Sequence, residues 1–512
     1  MRNELFRGLR SEREKAKNDL ILKFLCCVCL FCLGYFLYQP LLQIGLDDDD
    51  RILVEGLTKL RWNEYLFMND GYRFRPVFQA VILLVWRICG CDTITFIQAM
   101  PVLNTLLGIA LFLTADYLFK NRLFSFAISS IYLASRFAYY QTMMLFGVME
   151  GTALFNAIVT LLFAMDFVIN KRNRSIWFVL LFYVLSVFTH ERYLTLIAVV
   201  LAAIWLRSYK ADEKALPIRK RVIYSAIAVG ICGLCLIARQ ILFHGNAWTG
   251  TNGQDIGTTF SIPVLLIFIG KQMLYLLGWG DPETYLSGLS YTQVDGTVTA
   301  ATILFDAGIL ALIILYIIAY RKNQSEEKRQ NLRGIALAVI FIGACIIASS
   351  TTIRVEMRWL YASQTALLLC IGMAALFIIH TCKHKTRIIA IGVTAVMLLC
   401  SFYVETAYRK GWPNQYYYPG LMTDNSLMEA VKWYPDIRER DLIIIDPDNR
   451  VNTEEVNRFL TLMSVKHRYV PLSIGRYDNL IDYDDYKKGN DLTIEYRNGW
   501  YRDITGILDF NQ

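Results

Sequence analysis

Apolar residues in this chain come in blocks of roughly 17–25, and that block length constrains its fold more than any other feature. A helix needs about 20 such residues to cross ~30 Å of hydrocarbon. The block at 359–380, for example, holds no Asp, Glu, Lys or Arg. Overall, 55% of the 512 residues are hydrophobic and 19% are charged, where a soluble domain carries about a quarter charged. The expected class is an all-α polytopic membrane protein.

Lys and Arg gather in the short links between blocks, the topological mark of cytoplasmic loops. That distribution, rather than the net charge of +8, excludes nucleic acid as a partner. Arg2, Arg7, Arg10, Arg13, Lys15 and Lys17 put the N-terminal segment, 1–19, in the cytoplasm. The apolar run from Leu20 has no small-residue cleavage site after it and reads as a retained span. Spans are expected at about 20–46, 93–120, 123–140, 144–169, 175–189, 191–207, 221–243, 299–320, 334–351, 359–380 and 387–404. Segments 76–89 and 263–279 are short, the second contains Lys271 and Gln272, and counting either as a span would invert the basic links. Both read as interfacial or re-entrant helices. The result is eleven spans over 20–404, with the N-terminus inside, the C-terminus outside, and a long outer loop at 47–92. The chain is expected in the cell membrane.

From about Glu405 the composition turns polar. Residues 405–512 read as a small extracytoplasmic α/β domain, with Leu442-Ile443-Ile444-Ile445 as a strand and a helix-like stretch from Thr453. Ser426 and Glu429 stand at capping-box spacing for a helix. No Gly-rich phosphate loop and no zinc spacing occurs; most of the twelve cysteines lie within apolar blocks, as small hydrophobes.

Three constellations carry chemistry. The outer loop opens on Asp47-Asp48-Asp49-Asp50 and reaches Gly71-Tyr72-Arg73-Phe74-Arg75-Pro76. A carboxylate there can serve as general base toward an acceptor hydroxyl, and the guanidinium forks of Arg73 and Arg75 suit a phosphate. An acidic cap that only enforces topology is the competing reading. Next, His190 and Glu191 sit between two short apolar blocks; they could position an acceptor, hold a metal or pair with an arginine of the first loop, or form a local Glu191–Arg192 pair at a helix break. Third, Arg354, Glu356 and Arg358 put positive charge in an outer loop, suited to a lipid phosphate or to lipid headgroups. Glu150, Arg136 and Arg239 read as structural partners within the bundle.

An early span, a long outer loop with acidic residues at its start and an Arg-Pro element after it resemble the GT-C superfamily of glycosyltransferases, and more narrowly the bacterial relatives of protein O-mannosyltransferases. Asp49-Asp50 before Arg51 matches the family's acidic pair, Tyr72-Arg73-Phe74-Arg75-Pro76-Val77 its Arg-Pro element, and His190-Glu191 a later His-Glu motif. The match in motifs covers about 20–210 and rests on their order and loop placement. The resemblance implies transfer of a sugar from a polyprenyl-phosphate donor, with inversion, to a protein or glycan acceptor outside the cytoplasm. It assigns Asp49 or Asp50 as base and Asp48, Arg73, Arg75, His190, Glu191, Arg354 and Arg358 to substrate. No cofactor follows, although the acidic run could hold a divalent cation through oxygen ligands. A flippase for a lipid-linked glycan and a polysaccharide polymerase or ligase are the rival classes.

Overall fold

The computed structural model describes residues 2–38, 48–67, 74–207, 216–242, 260–279, 294–322, 326–352, 355–409, 423, 426–431, 442–446, 450–452, 456, 471–475 and 492–505. Helices dominate: α1 Arg2–Tyr38, α2 Asp48–Lys59, α3 Trp62–Leu66, α4 Pro76–Ile88, α5 Thr93–Phe119, α6 Arg122–Ala134, α7 Tyr139–Met143, α8 Gly147–Ile169, α9 Ser175–Thr189, α10 Ile197–Leu206 and α11 Ile218–Leu242. They continue with α12 Ile262–Leu276, α13 Gly296–Lys322, α14 Glu326–Ser350, α15 Tyr361–Thr381 and α16 His384–Arg409. Eight of the described helices are long and apolar enough to cross a membrane: α1, α5, α8, α11, α13, α14, α15 with its preceding turn, and α16. The chain is a polytopic, largely helical membrane protein with a small sheet near its C-terminus.

Three of the eleven expected spans need correction. The block at 123–140 is not one helix: α6 stops at Ala134, a 3-10 turn Arg136–Ala138 follows, and α7 adds five residues. The cause is polar. Ser135 donates its hydroxyl to Gln364 Oε1 at 2.6 Å, and the Arg136 N–H donates to Glu405 at 2.8 Å, so backbone and side chain leave the helical ladder. The 15 residues of α9 span only about 22 Å. The block at 191–207 opens as the 3-10 turn Glu191–Leu196, which leaves ten residues for α10. The first span is described to Tyr38, and 39–46 lie outside the described residues. The segments expected to be interfacial form α4 and α12, of 13 and 15 residues. Gln272, far from facing water, is buried between Ser349 and Ser350 at the end of α14, bonding both hydroxyls.

Contacts support the alternation of loops. At the basic end, Arg122 pairs with Asp19, Lys23 with Asp116, Arg172 with Asp166, and the buried Arg207 donates to Lys171 O. At the opposite end, Arg136 meets Glu405, Arg409 reaches Leu37 O and Leu133 O, and Tyr361 donates to Tyr132 O.

The sheet has order β2-β1-β3-β4, with β1 Leu442–Ile445, β2 Pro471–Gly475, β3 Leu492–Arg497 and β4 Trp500–Asp503. β1 is parallel to β2 and β3, and β3–β4 is an antiparallel hairpin turning at Asn498-Gly499, both with positive φ. Ile443, Ile444 and Ile445 are all buried, as suits a central strand with both faces covered. One hydrophobic cluster joins Ile444 and Ile494 of the sheet with Leu53, Phe78 and Trp86 of the first loop and Val148 of α8. Ser426 is helical rather than a cap; its hydroxyl donates to Thr423 O and accepts the Tyr501 N–H, tying the helix to the hairpin. The stretch from Thr453 lies almost wholly outside the described residues.

Candidate functional site

The first turn of α8 gathers most of the charged residues that the sequence singles out. Gly147 opens the helix because the chain folds tightly there: a Cβ on it would stand 2.3 Å from Tyr140 O and 2.6 Å from Gln141 Cα. The N–H groups of Leu145 and Phe146, just before the helix, have no intrahelical acceptor. Asp50, from the first turn of α2, supplies one. Its Oδ1 accepts both, at 3.0 and 3.2 Å, across 95 residues of sequence, and the side chain is 1% exposed. A carboxylate at a helix N-terminus is also favoured by the dipole.

Three residues on, Met149 Sδ touches Arg75 Nη1. Arg75 is buried at 1% exposure and grips Glu191 as a bidentate fork, with Nε–Oε2 and Nη2–Oε1 both 2.9 Å. Both partners sit at helix ends. Arg75 precedes α4, with Pro76 at the first helical position and Gln79 N donating to Arg75 O. Glu191 follows His190, whose backbone leaves α9 at φ −152°, ψ 121°. His190 turns its Nδ1 to the Arg192 N–H at 3.2 Å, fixing the start of the 3-10 turn.

Glu150 is the shared anion. Only 2% exposed, it faces His190 Nε2 at 3.6 Å, Arg192 Nη1 at 3.5 Å and Arg358 Nε at 4.0 Å. Arg192 lies over the Trp359 ring at 4.5 Å and Arg358 over the Tyr140 ring at 3.9 Å, positions that a ring quadrupole favours. Arg358 also pairs with the fully buried Glu356. The set therefore balances three arginines (75, 192, 358) against three glutamates (150, 191, 356). Charge pairing of this kind holds loops in place and leaves little uncompensated positive charge for a ligand.

Asp50, Arg75, His190, Glu191 and Arg358 are thus brought together. Asp48 and Asp49 lie in the first turn of α2, with side chains outside the described residues; Arg73 and Arg354 lie outside them altogether. The Arg75 fork is held by Glu191, and Arg358 Nε faces Glu356. Of the readings open for Glu191, the pair with an arginine of the first loop is the one formed, and Arg192 turns to Glu150. Glu150 and Arg192 are central here, and the sequence signal for Glu150 was an acid within an apolar span. Arg136 is structural, donating to Tyr275 O beside Glu405 under the Tyr408 ring. Among the described residues no group of three or more His, Cys, Asp or Glu is placed to hold a metal ion.

The chain matches no curated protein. Among solved structures it is similar to the crystal structure of ArnT from Cupriavidus metallidurans, at 11% identity. In the apo state the TM-score is 0.46, and bound to undecaprenyl phosphate it is 0.44, each covering 94% of this chain and 93% of that one. It is also similar to the archaeal oligosaccharyltransferase AglB from Archaeoglobus fulgidus in complex with an inhibitory peptide and a dolichol-phosphate, with TM-score 0.41 at 11% identity, covering 93% of this chain and 69% of that one. A family model described as a domain of unknown function, DUF6311, matches residues 102–370. That is more than half of the chain, which belongs to this family.

Proposed function

We propose that the chain is a membrane glycosyltransferase that moves a sugar from a polyprenyl-phosphate donor to an acceptor hydroxyl at the end opposite the basic links. The observation that carries the reading is convergence. Asp50, Arg75, Glu150, the His190–Arg192 turn and Arg358 come from five distant segments, and meet where α9 and the α6–α7 pair break off. This end is the extracytoplasmic one by the basic-link count, at the cell membrane. The motif order that resembles the GT-C superfamily supports the donor class.

Roles divide by commitment. Asp50 is buried, and one of its oxygens is already committed to two amide N–H groups, so it is not free to reach an acceptor hydroxyl. It anchors α2 on α8. Asp49, one residue earlier in the same turn, is the general base. It takes the proton of the acceptor hydroxyl as that oxygen attacks the anomeric carbon. The bond from that carbon to the phosphate oxygen breaks with its electron pair, polyprenyl phosphate leaves, and the centre inverts. The phosphate needs cations that the three-to-three set does not spare; Arg73 and Arg354, on the same loops, fill that role. Arg75–Glu191 and Glu150 are positioning groups. Segment 20–404 is the catalytic membrane domain, and the described sheet residues Ile444 and Ile494 of the 405–512 domain pack with Leu53 and Phe78 of the first loop, bordering the acceptor path.

The test is transfer by the purified full chain in vesicles, using a polyprenyl-phosphate sugar and cell-envelope acceptors. Asp49→Asn abolishes transfer with the fold intact, whereas Asp50→Asn retains part of it. Full transfer by Asp49→Asn would overturn the assignment of the base.

A further inference from the structure

A second site lies inside the bundle, behind the break between α6 and α7, and owes nothing to the proposed transfer. The end of α12 together with α13, α15 and α16 encloses a cavity of about 20 Å³. Gly278 lets the end of α12 close on α13: its φ is +94°, and a Cβ there would stand 2.8 Å from Thr302 Cγ2. Phe305 and Leu368 belong to the apolar part of the wall.

The rest of the wall is polar. Gln364, Ser401 and Glu405 all line the cavity, and all three are buried. Gln364 Oε1 accepts the Ser135 hydroxyl at 2.6 Å, which fixes the amide and leaves its NH₂ group without a bond to any described residue. The Ser401 hydroxyl has no bond to a described residue either. It does not turn back to the carbonyl four residues earlier, as Thr394 and Thr406 do in the same helix. Glu405 accepts the Arg136 N–H at 2.8 Å, and a carboxylate has about four acceptor positions to fill. Buried donors and acceptors are rarely left unpaired.

Size and charge select what pairs with them. The cavity is far too small for a sugar or an acyl chain, and it clears the roughly 10–15 Å³ that one water needs. A cation meets no net negative charge, because Arg136 Nε lies 3.8 Å from Glu405 and Arg409 follows one turn along α16. A donor, an acceptor and a hydroxyl around one small space suit a molecule that both donates and accepts. We propose that the cavity binds one structural water, which accepts from the Gln364 amide, donates to Glu405 and bonds the Ser401 hydroxyl. Gln364 also holds Ser135, and Glu405 also holds the Arg136 N–H. The water therefore braces α15 and α16 against the turn that leads into α7, whose Tyr140 ring lies under Arg358.

The isosteric pair Ser401→Thr and Ser401→Val tests this, by thermal unfolding of the full chain in detergent micelles. Both side chains fill the cavity alike, but only Thr brings a hydroxyl in place of the displaced water. Ser401→Val therefore unfolds about 1–3 °C below Ser401→Thr, the effect of a buried polar group left unpaired in a chain of this size. A Val variant at least as stable as the Thr variant reveals a dry void that methyl groups fill, and overturns the proposal. So does an unfolding temperature of the parent that is higher in sodium than in choline at equal ionic strength, with the difference lost in Ser401→Val, since a cation then holds the site. Electron cryomicroscopy of the parent in nanodiscs at about 2 Å resolution reads the site directly: one density peak about 2.7–3.2 Å from the polar atoms of Gln364, Ser401 and Glu405 supports the water. A featureless cavity at that resolution overturns it.

Discussion

The Arg75–Glu191 pair ties the first loop to the break after α9, and its loss has a calculable cost. Glu191→Ala takes the bidentate carboxylate away from a guanidinium that is 1% exposed. Removing one partner of a buried pair costs about 3–5 kcal/mol. Glu191 keeps 18% of its side chain accessible, so water replaces part of the lost interaction and the lower end, ~3 kcal/mol, applies. At an unfolding entropy near 2.1 cal/mol/K per residue, a chain of 512 residues loses about 1 kcal/mol per degree, which makes the shift in Tm about 3 °C. Arg75→Met with Glu191→Leu removes both charges and keeps the volume. Such replacements are often near neutral, so the double variant unfolds within about 1 °C of the parent. Thermal unfolding in detergent micelles of the parent, the matching single variants Arg75→Met and Glu191→Leu, and the double variant closes the cycle and gives a coupling energy of about 2 kcal/mol or more. If the two single losses simply add in the double variant, the side chains are not coupled and the loop is held by something else.

Asp50→Ala strands the Leu145 and Phe146 amides and lowers stability by about 1–2 kcal/mol, while Asp50→Asn, which keeps an acceptor oxygen, loses less; the same unfolding assay ranks them. Gly147→Ala drives a Cβ into the backbone of Tyr140 and Gln141, so the yield of monodisperse protein on size exclusion falls sharply. Cys89 is buried, and burial raises its thiol above the usual range, with Asp92 adding to the effect, whereas Cys91 is exposed in the same turn. A maleimide at neutral pH therefore modifies Cys91 first. Cys89 follows only as pH rises and its thiolate forms, and an impermeant reagent applied to whole cells reports which side this turn faces.

What the sequence made legible follows from physics that is local. Block length and the placement of Lys171, Arg172 and Arg174 against Lys383, Lys385 and Arg387 depend on neighbours along the chain, and the alternation drawn from them agrees with the observed contacts. Leu442–Ile445 was readable as a strand for the same reason. The helix break at Ser135 was not, because it arises from Gln364 and Glu405, which are 229 and 269 residues away. A pair between Glu191 and an arginine of the first loop was one of several open readings; that it forms, with Arg75 across 116 residues, is settled only by the fold. Glu150 read as a structural partner within the bundle; only the fold shows His190, Arg192 and Arg358, from two other segments, around it. The balance of three arginines against three glutamates is likewise a property of the assembled set.

The central claim is that a sugar is transferred, not merely carried. Vesicles containing the purified chain and a polyprenyl-phosphate sugar labelled in both the sugar and the lipid, with acceptor supplied, test it most directly. The account predicts glycosylated acceptor and free polyprenyl phosphate appearing one for one, both absent with Asp49→Asn. Labelled donor that crosses the bilayer intact, with no polyprenyl phosphate released, would contradict it and make the chain a flippase.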